Sequence, residues 1–178
     1  MKFRLIAAVS NDGFIAKFSG HLPNNWTSKE EKIYFKKDIN SCGWSVMGRK
    51  THELSFNKNK KRIIFTTSLK SYLYKDNNHL FCNPYNVSLD QIIGLIEPSK
   101  NLCILGGTKV HDYFLKKNLI DELIITVEPI YFKEGLPLFS ILNWKDFPNH
   151  FLKKKLYKQI IHKRLNTNGT QYYHLIKN

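Results

Sequence analysis

The stretch LCILGGTKV, residues 102–110, decides the fold of this chain. Its four apolar residues lead straight into the pair Gly106-Gly107, and the residues from Thr108 onward have the spacing of an amphipathic helix. A buried strand, a glycine turn and a helix form part of a βα unit, in which a phosphate can approach the backbone amides at the positive end of the helix. The stretch therefore predicts an α/β fold and favours nucleotide binding, although a Gly-Gly pair alone also fits an ordinary tight corner.

A second stretch with the same layout lies earlier in the chain. Residues 44–47 form a short apolar strand that stops at Gly48, and Arg49, Lys50 and Thr51 open the next helix. Two neighbouring anion sites of this kind fit the phosphates of one dinucleotide, and the Arg49 guanidinium is able to grip a 2′-phosphate with two hydrogen bonds. The alternative is an ordinary basic helix start on the solvated surface.

Strands and helices alternate along most of the chain. Apolar runs predict strands at 3–9, 44–47, 63–66, 80–82, 102–105 and 123–127. Capping and spacing predict helices that begin at Thr27-Ser28 and at Arg49, and further helices over 88–96 and 108–117. From residue 151 onward, two β-like runs flank a turn at 166–169. We therefore expect a single domain over residues 1–178, with a mostly parallel sheet and an antiparallel C-terminal hairpin.

The chain is strongly basic. Twenty-eight Lys and Arg residues against fourteen Asp and Glu residues give a net charge of +14. Such a charge favours nucleic acid or another anionic ligand. The basic residues are scattered, however, and no zinc, helix-turn-helix or RNA-binding motif accompanies them. Nucleic acid is therefore a less favoured partner than a small molecule.

The cysteines and the hydropathy bear on the compartment. Cys42, Cys82 and Cys103 have no metal-ligand spacing, and each lies in or beside an apolar segment, so we expect buried thiols and no bound metal. No apolar stretch approaches the roughly 18 residues needed to span a bilayer. These features predict a cytoplasmic protein that does not associate with membranes.

Glu31 is the candidate acid. It lies in the first turn of the helix that follows a long loop, and Phe35, four residues further on, shares its face. A carboxyl group against an apolar wall holds a proton near neutral pH and binds the amidine-like edge of a pterin or an aminopyrimidine. The alternative is the usual role of a first-turn glutamate, a favourable interaction with the helix dipole.

In this order, the motifs resemble those of dihydrofolate reductase and of its relative, the reductase domain of the bacterial riboflavin-biosynthesis deaminase-reductase. The resemblance covers about residues 3–140. The motifs that support it are RLIAA at 4–8, DGFIA at 12–16, the spacing of Trp26, Glu31 and Phe35, VMGRKT at 46–51, the threonine pair at 66–67, GGTKV at 106–110, and IT at 125–126.

The resemblance implies a three-layer α/β fold with helices on both faces of the sheet, NADPH as the cofactor, a small heterocyclic substrate and a homodimer. It makes Glu31 the substrate-binding acid, Trp26 the residue that orders a nearby water, and Thr126 the residue beneath the heterocycle. In the folate enzymes the diglycine bond is cis. The cofactor residues implied are Ala8, Ile15, Gly48, Arg49, Lys50, Thr51, Thr66, Thr67, Gly106, Gly107, Thr108, Lys109 and Val110.

Departures from the folate pattern bear on the substrate. Lys60 stands where the folate enzymes carry an Arg that binds the folate carboxylate, and a lysine cannot form the same planar fork. Residues 119–123 and 129–139 are more similar to the riboflavin reductase, and residues 21–25 lengthen the active-site loop. We therefore expect a reductase of the riboflavin type, acting on a ribosylaminopyrimidine phosphate. The alternatives are dihydrofolate reductase activity and a basic nucleic-acid-binding module on the same fold.

Overall fold

The computed structural model describes the backbone of all 178 residues and the side chain of every residue except Lys154. Strands β1 to β11 are Lys2–Ser10, Phe14–Ala16, Trp44–Gly48, Arg62–Phe65, Tyr72–Asp76, His79–Cys82, Asn101–Gly106, Glu122–Glu128, Leu136–Pro137, Tyr157–Arg164 and Gln171–Lys177. Helices α1 to α5 are Lys29–Ile39, Arg49–Leu54, Leu89–Gly94, Thr108–Lys116 and Asn149–Leu152.

Nine of the strands form one sheet in the order β10-β11-β8-β1-β7-β3-β4-β6-β5. The six strands from β8 to β6 are parallel to their neighbours, whereas β11 and β10 form an antiparallel hairpin beside β8, and β5 is antiparallel to β6 at the other edge. The mostly parallel sheet and the C-terminal hairpin confirm the fold predicted from the sequence.

Helices cover both faces of the sheet because side chains alternate along each strand. On one face, Phe114 of α4 and Ile92 of α3 pack into the cluster that contains Leu5 of β1. On the other face, Phe35 of α1 packs beside Ile6, the next residue of β1. The fold therefore has three layers, with the sheet in the middle.

Three features of the fold differ from the sequence prediction. Strand β5 was not predicted, and neither was the small antiparallel pair β2 and β9, in which Phe14 lies opposite Pro137. The chain forms the short helix α5 where a β-like run was expected from residue 151, and the hairpin begins only at Tyr157. Ser28, rather than Thr27, caps α1. Among the residues that the structure describes, no helix has the length and apolar character needed to cross a bilayer.

The expectation of three buried thiols was wrong for two of them. Cys42 and Cys103 form a disulfide with their Cα atoms 5.8 Å apart, and Cys82 is a buried free thiol. Cys42 follows the end of α1, and the packing of α1 across the sheet brings it over β7. Because the two residues are 61 positions apart in the sequence, no local spacing could indicate the pairing.

The disulfide predicts a measurable change on reduction. In the chain-entropy model a cross-link across such a loop stabilises the fold by about 4 kcal/mol, so reductant or Cys42→Ser should lower the Tm by about 10 °C. Thermal unfolding with and without dithiothreitol measures the effect. Cys82→Ala is the matched control, because the variant keeps the disulfide and should keep its sensitivity to reductant. Three reactive thiols in the unreduced, denatured protein, instead of one, would contradict the pairing.

Candidate active site

The two glycine turns lie side by side at the carboxyl ends of two central strands, which we call one edge of the sheet below. Strands β3 and β7 are parallel neighbours, and Met47 of β3 lies opposite Gly106 of β7. The turn at Gly48 therefore ends at the same edge as the diglycine turn. A Cβ atom on Gly48 would lie 3.8 Å from Cγ2 of Val110, in the first turn of α4. The structure thus brings together the two turns that the sequence proposed as a joint phosphate site.

The first glycine of the diglycine turn has a backbone conformation that favours glycine. The Gly106-Gly107 bond is cis, and Gly106 has a φ of +105°. A Cβ atom on Gly106 would lie 2.8 Å from the His111 ring, and one on Gly107 would lie 3.7 Å from Cδ1 of Ile15. Gly107 precedes α4, whose first amides have no partner within the helix. Backbone donors next to missing side chains are what a phosphate group needs.

The basic residues of α2 are exposed beside this turn. Arg49 and Lys50 face solvent, and the Arg49 guanidinium has an exposed ion pair with Glu53, one helical turn away at 3.3 Å. Such a pair contributes little to stability, so it leaves Arg49 available to a stronger anion. Thr66 and Thr67 follow β4, the next strand along the sheet, so they lie beyond α2 at the same edge.

The other side of the site is formed by β1 and β8. Ala8 lies opposite Thr126 in this parallel pair, and both residues are buried. Because β1 lies between β8 and β7, Ala8 is placed between Thr126 and the diglycine strand. The proposed substrate residue and the proposed cofactor turns therefore lie at the same end of the parallel strands, with one strand between Thr126 and the diglycine turn and two between Thr126 and the Gly48 turn.

Glu31 is buried in the first turn of α1, with only 5 % of its surface exposed. Its backbone N–H donates to the hydroxyl of the cap residue Ser28 at 3.2 Å. Burial raises the pKa of the Glu31 carboxyl to about 7, the neighbouring Glu128 carboxylate adds to the rise, and the Thr27 hydroxyl and Lys32 oppose it. A carboxyl group in this state exchanges a proton at neutral pH, which is what an acid catalyst requires.

Trp26 lies at the end of the long loop, against Phe132, with their ring centroids 5.1 Å apart and edge to face. The indole Nε1 is buried and has no acceptor among the described residues. Within the loop, the His21 ring contacts Phe132 at 5.5 Å and accepts a hydrogen bond from the Lys17 backbone N–H. The lengthened loop of residues 16–25 thus folds back onto the segment after β8, and the unpartnered indole N–H is a donor for water or substrate.

Comparisons with known proteins identify the family and the fold of this chain. The model of the family described as dihydrofolate reductase matches residues 2–164. The chain belongs to the dihydrofolate reductase family. Two relatives come from Bacillus subtilis (strain 168). The uncharacterized protein YwjB is 31% identical over 152 residues, which cover 78% of this chain and 82% of that protein. The uncharacterized protein YyaP is 28% identical over 148 residues, which cover 74% of this chain and 77% of that protein.

Solved structures show the same fold. A Shewanella sp. PV-4 protein provisionally assigned to riboflavin biosynthesis superposes with a TM-score of 0.69 at 22% identity and covers 100% of this chain and 99% of its own. Dihydrofolate reductase from Enterococcus faecalis, complexed with NADP(H) and RAB-propyl, superposes with a TM-score of 0.69 at 20% identity, with 99% and 96% coverage. At these identities the likeness establishes the fold of this dihydrofolate reductase family member, and both relatives fit it equally well.

Two surface depressions lie away from the predicted cofactor residues. A surface depression of about 280 Å³ is lined by residues of β5 and α3, among them Tyr72 and Leu95, and a second depression follows residues 164–167. Neither depression is lined by a predicted site residue. Gly48 and Gly107 themselves remain partly exposed, so the turns are accessible to a ligand.

The sequence reasoning missed Glu128. This carboxylate ends β8, is 3 % exposed and accepts hydrogen bonds from Ser28 and from the Thr170 hydroxyl. One signal was present: with the two-residue period of a strand, Glu128 lies on the same face as Thr126. A charged residue at the end of this mostly apolar strand was the local evidence for a second buried carboxylate.

The raised pKa of Glu31 predicts a pH-dependent stability. Above pH 7 the ionised carboxyl is buried in the folded chain and solvated in the unfolded one, so it destabilises the fold, whereas below about pH 4.5 it is protonated in both states. Glu31→Gln should therefore raise the free energy of unfolding at pH 8 by on the order of 3 kcal/mol and change it little at pH 4. Urea unfolding at the two pH values measures the difference.

Glu30→Gln is the matched control for this measurement. Glu30 precedes Glu31 on the same helix, accepts a hydrogen bond from Asn166, and that bond keeps its pKa below the ordinary value. Removing its charge should therefore give no gain in stability at pH 8. An equal effect of Glu31→Gln at both pH values would contradict the assigned protonation.

Proposed function

We propose that this protein is an NADPH-dependent reductase whose substrate contains a nitrogen heterocycle of the pyrimidine or pteridine type. The observation that carries the proposal is the common end of the parallel strands: the buried Thr126 of β8 lies opposite Ala8 of β1, and the glycine turns follow β7 and β3, the next two strands, with Glu31 on the helix beside them. Membership of the dihydrofolate reductase family supports an oxidoreductase. The bound NADP(H) of the Enterococcus faecalis enzyme supports the choice of cofactor.

The residues present fit a nicotinamide dinucleotide. Gly48 and Gly107 leave backbone uncovered where a side chain would otherwise stand, and the amides of Thr108 and Lys109 at the start of α4 would bind the pyrophosphate, with Val110, whose amide donates to the Gly107 carbonyl, beside them. Arg49, Lys50 and Thr51 would bind the 2′-phosphate, and Thr66 and Thr67 would flank the adenosine. Ala8 and Ile15 would line the nicotinamide end. When bound, NADPH supplies the hydride.

The substrate side needs a proton source, because reduction of a carbon–nitrogen double bond adds a hydride to carbon and a proton to nitrogen. Because the pKa of Glu31 is raised to about 7, its carboxyl group is able to donate a proton at neutral pH. In its ionised form the same carboxyl accepts hydrogen bonds from the N–H groups of an aminopyrimidine or pterin. Trp26 would orient a water through its free indole N–H, and Thr126 would lie beneath the ring.

A ribosylaminopyrimidine phosphate of riboflavin biosynthesis is the first candidate substrate. The segment 129–139, which resembles the riboflavin reductase, packs on the active-site loop: Asp12 accepts hydrogen bonds from the backbone of Phe132 and Lys133. The Shewanella protein assigned provisionally to riboflavin biosynthesis has the same fold. In this reaction the hydride would reach the opened ribose and leave a ribityl product. The same resemblance underlies our proposal of a homodimer.

Dihydrofolate is the second candidate substrate. The arrangement of Trp26, Glu31 and Phe35 favours it, because these residues match the folate enzymes in spacing and the acid is buried as protonation of a pterin requires. The family model that matches the chain is described as dihydrofolate reductase. In this reaction Glu31 would assist protonation of the pterin nitrogen, and Lys60 would meet the folate carboxylate.

The cofactor assignment predicts a selective loss. Arg49→Ala should weaken NADPH binding by about 10- to 100-fold, because charge-assisted hydrogen bonds to the 2′-phosphate are lost, and should change NADH binding little. Titration of both cofactors by fluorescence or calorimetry measures this. Glu53→Gln is the matched control: it removes only the ion-pair partner of Arg49, so NADPH binding should not weaken. An equal loss of affinity for NADPH and NADH would contradict the assignment of Arg49 to the 2′-phosphate.

A substrate panel distinguishes the two candidate reactions. Purified protein with NADPH should oxidise the cofactor in the presence of the ribosylaminopyrimidine phosphate and more slowly, or not at all, with dihydrofolate. Glu31→Gln should lower kcat by about 100-fold or more with the preferred substrate, since general acid catalysis contributes on that scale. Robust turnover of dihydrofolate alone would favour the second candidate. Steeply salt-dependent nucleic-acid binding without saturable NADPH binding would overturn both.

A further inference from the structure

The Glu128 carboxylate connects three distant parts of the chain. Its Oε1 accepts hydrogen bonds from the backbone N–H and the hydroxyl of Ser28, each at 2.8 Å, and its Oε2 accepts one from the Thr170 hydroxyl at 2.7 Å. Ser28 caps α1, Glu128 ends β8, and Thr170 precedes β11. Both carboxylate oxygens are therefore occupied, and the start of α1 is tied to the central sheet.

The direction of these hydrogen bonds links Glu128 to Glu31. The Ser28 hydroxyl has one proton, which it donates to Glu128, so its oxygen is free to accept the backbone N–H of Glu31 at 3.2 Å. A hydroxyl with a fixed donor direction is a better cap than a freely rotating one. The position of Glu31 in the first turn thus depends on a carboxylate about 100 residues away in the sequence.

We propose that Glu128 is a positioning residue for Glu31: it fixes the N-terminus of α1 through Ser28 and sets a second negative charge beside the Glu31 carboxyl. The inference rests on the proposed role of Glu31 as the proton donor. Glu128 acts through Ser28 and through its charge, and it is assigned no contact with the substrate.

The charges around Glu31 favour its protonated form. From β8 it faces Glu128, whose like charge disfavours ionisation, and from its own helix it faces Lys32, which is exposed and opposes the effect weakly. The loop before α1 contributes only the neutral Thr27 hydroxyl. Two carboxyl groups in one buried site are able to divide the roles of proton holder and fixed charge, because their surroundings differ.

Glu128→Gln tests the charge directly. Its amide oxygen is able to accept the Ser28 hydrogen bonds, so the substitution removes the charge and keeps the shape. The titration midpoint of the Glu31 side-chain carboxyl, followed by 13C NMR and assigned with Glu31→Gln, should fall by about one pH unit. Because this measurement needs no turnover, it remains decisive even if the proposed reaction is wrong. Where turnover is observed, the alkaline limb of the kcat/KM profile should move down with it.

Thr170→Val is the matched control, since it removes one hydrogen bond to Glu128 and keeps the charge. The Glu31 midpoint should then stay within about 0.3 pH unit of the wild-type value, a change too small for a lost charge. An unchanged midpoint in a folded Glu128→Gln variant would overturn the inference. If that variant does not fold, the wild-type titration decides: two coupled carboxyls give the Glu31 signal two inflections, and a single inflection would overturn the coupling.

Discussion

The candidate site depends on one geometric constraint, which is that neighbouring parallel strands end at the same edge of a sheet. Strands β8, β1, β7, β3 and β4 are neighbours in this order. Their hydrogen-bond register places Ala8 opposite Thr126, and Met47 opposite Gly106. A slip of one residue in the pairing of any two of these strands would turn the side chains of one strand to the other face of the sheet and separate the site residues. The site is therefore a property of the register of the sheet, and each loop only completes it.

Most of the sheet was predictable because most of its strands are recognisable from local sequence. The parallel strands are buried on both faces, so they appear in the sequence as short continuous apolar runs. Strand β5 has no buried residue, and β9 is two residues long. Such segments are strands only because a partner supplies their hydrogen bonds. Their assignment requires knowledge of the neighbouring strand, which no local pattern contains.

The residues of the site likewise differ in whether local sequence or a distant contact identifies them. The glycine turns and the basic start of α2 are local motifs, so a few consecutive residues were sufficient to locate them. The Glu31 carboxyl was identified from one face of one helix. The interaction of Glu128 with Ser28 and Thr170, like the pairing of Cys42 with Cys103, joins residues that are distant in the chain. These contacts follow from the way α1 and the hairpin pack on the sheet, and only a three-dimensional arrangement reveals them.

The distribution of charge argues that the two ends of the site recognise different chemistry. The net charge of +14 is spread over the surface, and exposed cations such as Lys32 of α1 also lie near Glu31; the exposed cations beside the glycine turns, Arg49, Lys50 and Lys109, belong to α2 and α4. Two buried carboxyl groups, Glu31 and Glu128, lie together beside β8 and α1. Cations next to free backbone amides favour phosphate groups, whereas buried carboxyls favour N–H donors and repel phosphate. Under the proposed function, the phosphates of the dinucleotide would therefore lie toward α2 and α4, and the nitrogen-rich ring of the substrate would lie toward Glu31.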